Sequence, residues 1–438
     1  MIGSFRRLGA AFLFVLLCGT GALSSMWQVS DWGNKLSDVD AYSEANALRE
    51  VRNFLEQGLT RNAGLGNVYY PGLYPEDGFA REPEIAQYSV TPEGVYTHYP
   101  PGPEYLLYAA AKLLGPEPVS RLLLLPIVIG WATTTFLGFA VRRRFGATVG
   151  WLVIGACALT PTVTDGFVGL HYQGYAAALL MVEIAVAIGA GTSVAPFAIL
   201  GFAQGWLSFD YAFLVALTPL ALALVMHRLA PRDPPRWKLT LLRAVLAGGG
   251  FAAAHTLHFI QVWAWWGSFD TASRDLGGAA AHRAGADLLD GPLDYARYVL
   301  SNLKLYFYGL HPLNVSLSLP EPGVPENWSM FRFLGLSLGP WWLCITLALM
   351  LWDQFHPKSS SRSIRMDWHF VCLTGFITSS AWIMIMINHA GHHRHFLYRH
   401  LFFAFFVVVL FGAVTVVRRW TEASASALRQ RSLSPSRS

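Results

Sequence analysis

The chain has 438 residues, of which 53% are hydrophobic and only 13% are charged, about half the charged share of an ordinary soluble domain. Its mean hydropathy is +0.37. A water-soluble protein of this length needs more charge to cover its surface, so the composition excludes a cytosolic enzyme, a disordered chain and a nucleic-acid-binding domain. The net charge of +5 therefore needs an explanation other than nucleic-acid binding.

Apolar segments of the length that a membrane helix needs recur along the chain. We predict about ten spans, at roughly 8–29, 118–140, 147–161, 175–191, 195–208, 210–227, 241–266, 329–352, 368–388 and 400–417. We expect the first to be an uncleaved anchor, with a cleaved signal peptide as the alternative. Segment 104–114 is too short to span and fits a re-entrant or interfacial helix. The sequence thus predicts an all-α polytopic bundle, formed by one domain over 1–438.

The basic residues indicate the orientation of this bundle. Eighteen of the 32 Lys and Arg residues fall between predicted spans on one side or at the two termini, and such loops normally face the cytoplasm. We therefore expect both termini in the cytoplasm and most acidic residues on the outer face. The basic, Ser-rich end, 421–438, is expected to be a disordered cytoplasmic tail near anionic lipid.

Two predicted outer loops, 30–103 and 267–328, are too long to be simple connections. In the first, apolar residues recur at helical spacing over 40–57, which predicts a helix in the membrane interface. In the second, the Tyr-rich segment 294–310 predicts another such helix. Two such layers favour an enzyme that closes a cavity over a lipid-linked substrate, because a channel has little use for them.

Several motifs follow one another in a distinctive order. They are SDVDAY (37–42), NFLEQG (53–58), YPPGPEYLL (99–107), LG (114–115), Arg121 and RHFL (394–397). This order resembles the GT-C superfamily of membrane glycosyltransferases, and within it the branch of protein O-mannosyltransferases and lipid A aminoarabinose transferases. The order covers most of the chain, but only the first 120 and last 45 residues carry specific motifs.

The resemblance implies transfer of a hexosyl or pentosyl group from a polyprenyl-phosphate donor to a glycan, lipid or protein acceptor. The reaction would take place on the outer face of a cell membrane, and we expect the bacterial inner membrane. There are departures from the family pattern. Val39 separates two acids that the family often has adjacent, the turn is YPPGPEY rather than YPPLYY, and His395 stands where Tyr is common.

Asp38 and Asp40 are the first candidate catalytic residues. Glycosyl transfer with inversion needs a carboxylate to accept the proton of the attacking hydroxyl. The two side chains project to different faces of a helix, so we expect only one of them, and favour Asp40, to reach the reacting atoms. The alternative is that they cap the N-terminus of the 40–57 helix.

A second acid is expected in the turn between the third and fourth predicted spans. Asp165 suits that place, although His171 or Gln173 fits the matching family position as well. Asp40 and Asp165 are also the candidate ligands of a divalent cation, Mg or Mn, that would hold the departing phosphate. The alternative for Asp165 is an ordinary loop acid. Three more residues are expected to line the substrate cavity: Tyr42, His98 and Tyr99.

The segment 388–400 is the most polar cluster of the chain and contains five of its 14 His residues. The guanidinium groups of Arg394 and Arg399 match the geometry of phosphate, so with His393 they are the candidate donor-phosphate ligands. Anchoring to lipid headgroups is the alternative role. Histidine spacing here also suits zinc, but no carboxylate or Cys lies nearby in the sequence.

The alternative function from another class is a transporter or flippase for a lipid-linked glycan. Glu183 and Asp210 lie within apolar runs, where ionisable residues are costly and usually functional. The other interpretation of both is pairing with a polar neighbour such as Gln204. The four cysteines also lie in apolar runs and favour neither disulfides nor a Cys-ligated metal.

Overall fold

A computed structural model describes the chain at 16, 18, 19, 21–23, 25, 26, 41–68, 94–159, 163, 167, 169, 170, 172–189, 191–230, 235–285, 291–308, 361–387, 400 and 402–433. Within these residues the fold is helical, and the β-pairing is a single antiparallel bridge between Asn67 and Val95. The predicted all-α class is confirmed for this part of the chain.

The helices are α1 (Ala41–Gln57), α2 (Gly102–Leu114), α3 (Val119–Phe145), α4 (Ala147–Leu159), α5 (Tyr172–Gly189), α6 (Ala195–Leu207), α7 (Ala212–Leu229), α8 (Trp237–Trp266), α9 (Phe269–Ala284), α10 (Pro292–Tyr308), α11 (Ser361–Ile385) and α12 (Phe402–Leu433). Each predicted span from 118–140 onwards has a helix at its place, except 329–352, which lies outside the described residues. The short segment 104–114, which we expected to be a re-entrant or interfacial helix, lies within the 13-residue α2.

Two of the described helices, α3 and α7, have both the length and the apolar character to cross a membrane. Shorter apolar helical stretches are Ala147–Ala158, Gly174–Gly189, Ala195–Leu207 and Phe402–Arg418. The predicted total of about ten spans is therefore not confirmed by the described residues, although the apolar helices do pack together as a bundle. Helix α3 contacts α4 and α5, α6 contacts α8, and α7 contacts α8 and α11.

Helices α6 and α8 approach so closely that glycine is needed between them. A Cβ atom on Gly201 would lie 2.0 Å from the carbonyl oxygen of Ala247, and one on Gly250 would lie 2.1 Å from that of Ala198. Small residues allow such backbone contact between membrane helices. The Gly248–Gly250 triplet thus includes one packing glycine, whereas Gly249 has no neighbouring atom within 4 Å.

Two features differ from the sequence-based expectation. Helix α9 was not predicted, yet it has a Ser268 N-cap that accepts a hydrogen bond from Thr271 N, and it ends at Gly285 in the left-handed region. Helix α12 continues to Leu433, well past residue 421, where we expected a disordered tail to begin. The physical reason is that residues 421–433 include three Ala, two Leu, one Glu and two Arg, and extending an existing helix costs little.

Helix α1 was predicted to lie in the membrane interface with one apolar and one charged face, and the structure buries much of the charged face. Glu44, Arg49, Glu50 and Asn53 are all buried. The Asn53 amide donates to Asn67 O at 2.6 Å, and α1 packs on α2. Polar groups of the following loop therefore cover the charged face, which local periodicity cannot reveal.

Candidate functional site

Most of the predicted site residues lie outside the described residues. These are Asp38, Asp40, Asp165, His171, His393, Arg394 and Arg399. Tyr42 and Gln173 are described only as positions in α1 and α5. Of the predicted cavity residues, the structure describes the side chains of His98 and Tyr99, and both lie in a polar contact between the first and second predicted outer loops.

The imidazole of His98 contacts a carboxylate that is 177 residues away in the sequence. Its Nε2 lies 2.8 Å from Oδ1 of Asp275, in α9. The other carboxylate oxygen, Oδ2, accepts a hydrogen bond from Trp266 Nε1 at 2.9 Å. Burial of Asp275 opposes ionisation, but hydrogen bonds from His98, Trp266 and Thr97 outweigh it and lower the pKa of this carboxyl. An ionised Asp275 therefore holds the His98 ring in place.

A row of polar side chains on α8 faces this contact. His255, His258 and Gln261 follow one another at intervals of three, which places them along one side of the helix. His258 Nε2 lies 2.8 Å from Thr97 O, and since a carbonyl can only accept, this nitrogen carries the proton. The row thus positions the chain directly before His98.

An arginine of α9 lies beside the same turn. The guanidinium carbon of Arg283 is 4.5 Å from the centre of the Tyr99 ring and 5.7 Å from that of Phe209. Tyr99 also stacks on Tyr96, with ring centroids 5.8 Å apart. Aromatic faces hold a guanidinium in a fixed orientation. The turn before Pro100 thus carries a positive charge supplied by α9.

We call this set the His98 cluster, and it consists of Thr97, His98, Tyr99, His255, His258, Gln261, Trp266, Asp275 and Arg283. It has one guanidinium and three imidazoles but only one carboxylate. At neutral pH its permanent positive charge is the Arg283 guanidinium, and its carboxylate, Asp275, already accepts a hydrogen bond from Trp266 and contacts His98. Chemically, it suits an anionic oxygen ligand better than a cation.

The loop after α1 is fixed to the cluster through α2 and α8. The Tyr105 hydroxyl donates to Gly64 O at 2.5 Å, and the Gln261 amide donates to Ala63 O at 3.2 Å. Ala63 and Gly64 both have positive φ, at 54° and 82°. A non-glycine residue in this region costs free energy and is kept only where the surroundings fix it. The two hydrogen bonds provide that constraint.

Buried acids lie below this loop. Burial and the charge of Glu104 together raise the pKa of Glu50 well above its usual value. Burial also raises the pKa of Glu104 to about 7. The carboxyl of Glu50 lies directly against Gly66, where an added Cβ would be 1.7 Å from its Oε2. Glu50 and Glu104 therefore favour a state in which they hold at least one proton at neutral pH.

The start of α1 meets the turn between α4 and α5. The Glu44 carboxylate accepts a hydrogen bond from Leu170 N at 3.1 Å. Glu44 is four residues after Asp40, and Leu170 is in the turn that contains Asp165 and His171. This contact joins the two chain segments on which we predicted the catalytic and second acids.

The residue His400, two positions before α12 begins, lies beside the start of α7 and the end of α11. His400 is completely buried, and its ring stacks on Trp382 and Tyr211 with centroid distances of 4.3 and 5.0 Å. Two residues before Tyr211, the ring of Phe209 contacts Arg283 and His255. The residue after Arg399 is therefore connected through the α6–α7 junction to the His98 cluster.

Within the described residues, no group of three His, Cys, Asp or Glu side chains is placed to hold a metal ion. The predicted cation ligands Asp40 and Asp165 fall outside that part of the chain. Cys18, Cys157 and Cys372 are buried free cysteines.

Sequence reasoning missed most of the His98 cluster. His255, His258 and Gln261 stand at helical spacing in the second half of a predicted span, where polar residues are costly, and that signal could have identified them. No comparable signal marked Asp275 or Arg283, because α9 lacks an apolar period: its only buried residue is Ala272. Glu50 and Glu104 lie in predicted short helices, where acidic residues are ordinary, so the sequence gives no sign of their burial.

No family model matches the sequence, and no curated protein matches it. Among solved structures, the chain is similar to the oligosaccharyltransferase AglB of Archaeoglobus fulgidus in complex with an inhibitory peptide and a dolichol-phosphate, with a TM-score of 0.49 and 13% identity over 99% of this chain and 53% of that one. This chain thus spans about half the length of the archaeal protein.

It is also similar to ArnT of Cupriavidus metallidurans. The apo form matches with a TM-score of 0.38 and 15% identity, over 93% of this chain and 78% of that one. The form bound to undecaprenyl phosphate matches with a TM-score of 0.37 and 14% identity, over 98% and 81%. AglB and ArnT are GT-C superfamily glycosyltransferases and integral membrane proteins, and GT-C is the superfamily that the sequence motifs resemble.

Proposed function

We propose that this chain is an integral membrane glycosyltransferase that moves a hexosyl or pentosyl group from a polyprenyl-phosphate donor to a glycan, lipid or protein acceptor. The observation that carries the proposal is the contact between His98 and Asp275. It joins the YPP turn of the first predicted outer loop to the second predicted outer loop in one polar site beside apolar helices. The orientation follows from the positive-inside rule: both termini are cytoplasmic and the site faces outwards, in a bacterial inner membrane.

In this proposal an Asp of the first outer loop, Asp40 or Asp38, accepts the proton of the acceptor hydroxyl as its oxygen attacks C1 of the sugar. The bond from C1 to the phosphate oxygen breaks, and its electron pair leaves with the polyprenyl phosphate. Arg394, with Arg399 and His393, binds that phosphate. The substrate cavity is lined by Tyr42, His98, Tyr99, His171 and Gln173.

A divalent cation, Mg or Mn, held by Asp40 and Asp165 would supply positive charge to the departing phosphate. The hydrogen bond from Leu170 N to Glu44 supports this pairing, because it joins the two segments that carry these acids. The donor set would be two carboxylates, which suits a hard cation. Addition and removal of the cation in the assay below tests this part.

The experiment gives purified protein in detergent a panel of polyprenyl-phosphate sugars and follows release of free polyprenyl phosphate, with and without a divalent cation and with crude membrane acceptors. We expect release with one donor, and loss of release in a double variant, Asp38→Ala with Asp40→Ala. The matched control is Asp270→Ala, an exposed acid of α9 that forms an ion pair with Arg274 of the same helix. Absence of release with every donor would overturn the proposed function. Full activity of the double variant would overturn its mechanism.

A transporter or flippase of a lipid-linked glycan is the second candidate, and one observation favours it. Glu183 of α5 is 2% exposed, and its Oε1 has no hydrogen-bond partner among the described residues. Such an acid is typical of a proton-coupled path. Reconstituted vesicles with a fluorescent polyprenyl-linked glycan would test it. Translocation that Glu183→Gln abolishes, without any sugar release, would favour the transporter.

A further inference from the structure

The hydrogen bonds of Asp275 determine which nitrogen of His98 is free to react. Asp275 accepts from Trp266 Nε1 and lies 2.8 Å from His98 Nε2. An ionised carboxylate only accepts, so His98 Nε2 carries a proton in both charge states of the ring. Nδ1 is therefore the nitrogen that gains and loses a proton. A histidine fixed in this way by a carboxylate is the usual arrangement of a proton-transfer group.

The surroundings of His98 leave Nδ1 available to a ligand. Apart from the contact with Asp275 and a tilted ring contact with Tyr96 at 6.4 Å, the imidazole makes no other hydrogen bond or ring contact with the described residues. Its side chain is 9% exposed, and that of Asp275 is 18% exposed. The charged and titratable groups that face it are Asp275 and Arg283 from α9, His258 from α8, and the two Tyr residues of its own loop.

The charges around His98 favour an anion at Nδ1. His98 and Arg283 both act electrostatically on His258, so the three side chains lie close together. The negative charge of Asp275 is already occupied by His98, Trp266 and Thr97. A phosphate oxygen next to Nδ1 would thus meet one guanidinium and one imidazolium, with the nearest carboxylate satisfied by other donors.

We propose that His98 is a catalytic acid that donates its Nδ1 proton to the departing polyprenyl phosphate, and that Asp275 is the positioning residue that holds the ring for this transfer. This inference rests on the proposed function. A phosphate monoester takes up its second proton near pH 6, and His is the side chain that ordinarily titrates between pH 5 and 8. Proton transfer between groups of similar acidity is efficient near neutral pH.

The step balances in atoms and charge. The acceptor oxygen forms its bond to C1 as its proton passes to the first-loop Asp. The C1–oxygen bond to phosphate breaks with its electron pair on the phosphate oxygen, and that oxygen takes the proton from His98 Nδ1. Afterwards the Asp releases its proton to water and His98 takes one up, so the protein returns to its starting state.

The first test compares His98→Gln with the wild type, using the donor that the panel identifies. The Gln side chain can still donate an N–H to Asp275 but has no proton to transfer. We expect kcat to fall about 100-fold with little change in KM, and the alkaline limb of the kcat–pH profile to disappear. The Asp275→Asn variant should keep the alkaline limb of the kcat–pH profile, but at lower pH. The reason is that the imidazolium of His98 loses the negative charge of the Asp275 carboxylate. His369→Gln, an exposed position on α11, is the control and should behave as wild type.

A second readout does not depend on turnover. The ³¹P resonance of undecaprenyl phosphate bound to the purified protein would be followed from pH 5 to 9. In the wild type we expect its titration to show two linked steps, and in His98→Gln a single step. Thermal melting of each variant shows whether it is folded. A folded His98→Gln with the wild-type kcat profile and ³¹P titration would overturn the role of His98, even if a donor is cleaved. Failure of every donor would instead overturn the proposed function, and the ³¹P titration would still decide whether His98 contacts phosphate.

Discussion

The guanidinium carbon of Arg283 lies 4.5 Å from the centre of the Tyr99 ring, which joins α9 to the turn before Pro100. The contact holds the arginine beside His98 and within reach of the Phe209 ring. A stacked guanidinium keeps its N–H donors directed outwards from the ring edge. Arg283 is thus a pre-oriented positive group of the His98 cluster.

Arg283→Gln should weaken binding of undecaprenyl phosphate about tenfold or more, since a hydrogen bond to a charged group contributes about 1.5–3 kcal/mol. The affinity of Arg283→Lys should lie between those of Arg283→Gln and the wild type, because Lys keeps the positive charge but lacks the planar guanidinium. Quenching of tryptophan fluorescence by added lipid measures the affinity. Arg274→Gln, on the same helix and 79% exposed, is the control. Equal affinities of the Arg283→Gln variant and the wild type would exclude a phosphate contact by this residue.

Glu104 should make stability depend on pH. Its pKa is raised by burial from 4.5 to about 7, so the folded chain holds this proton more tightly than the unfolded chain. The stabilisation is therefore complete below about pH 4.5 and is lost as the pH rises to 7. Glu104→Gln should then be more stable than the wild type at pH 8, by roughly 3 kcal/mol, and equally stable at pH 4.5.

Melting temperatures in detergent between pH 4.5 and 8.5 measure this difference. Glu56→Gln, which removes an exposed acid at the end of α1, is the matched control and should follow the wild-type curve. Parallel curves for Glu104→Gln and the wild type would show that folding does not shift the pKa of Glu104, contrary to the raised pKa.

Single amide variants should separate the two acids of the SDVDAY motif. If Asp40 is the base, Asp40→Asn should lower kcat by at least about 100-fold, because the amide cannot accept the proton. Asp38→Asn should then lower the melting temperature slightly, as expected for loss of a helix cap worth about 1 kcal/mol, with near-normal kcat. Steady-state assays with the active donor give kcat for both variants, and thermal unfolding gives their melting temperatures. The reverse pattern would assign the base to Asp38.

The sequence predicts the described helices well where apolar residues recur at a helical period. The 40–57 pattern corresponds to α1 (Ala41–Gln57), and the uncertain short pair around 195–227 is indeed two helices, α6 and α7, separated at 208–211. Several boundaries have a local cause, such as the Pro residues near the starts of α2 and α6 and glycine after α2, α3 and α8.

The site is less predictable because its contacts are distant in the sequence. His98 was identified by its place in the YPP turn, but its partner Asp275 belongs to a helix with two glycines and hardly any buried residue. The burial of Glu50 and Arg49 likewise depends on the loop that covers α1. Local periodicity reports which face of a helix is apolar, and it is silent on whether another segment covers the polar face.

The α6–α8 contact offers a test of the fold itself. Gly250→Ala would place a Cβ 2.1 Å from the carbonyl oxygen of Ala198, so the helices must separate, at a cost of about 1–3 kcal/mol. The neighbouring Gly249→Ala meets no atom within 4 Å, and Ala favours a helix over Gly by about 0.5–1 kcal/mol, so this variant should be as stable as the wild type or more so. Thermal unfolding of the two variants in the same detergent measures the contrast. Because the substitutions are identical and adjacent, a lower melting temperature for Gly249→Ala than for Gly250→Ala would show that α8 is rotated from the orientation described here.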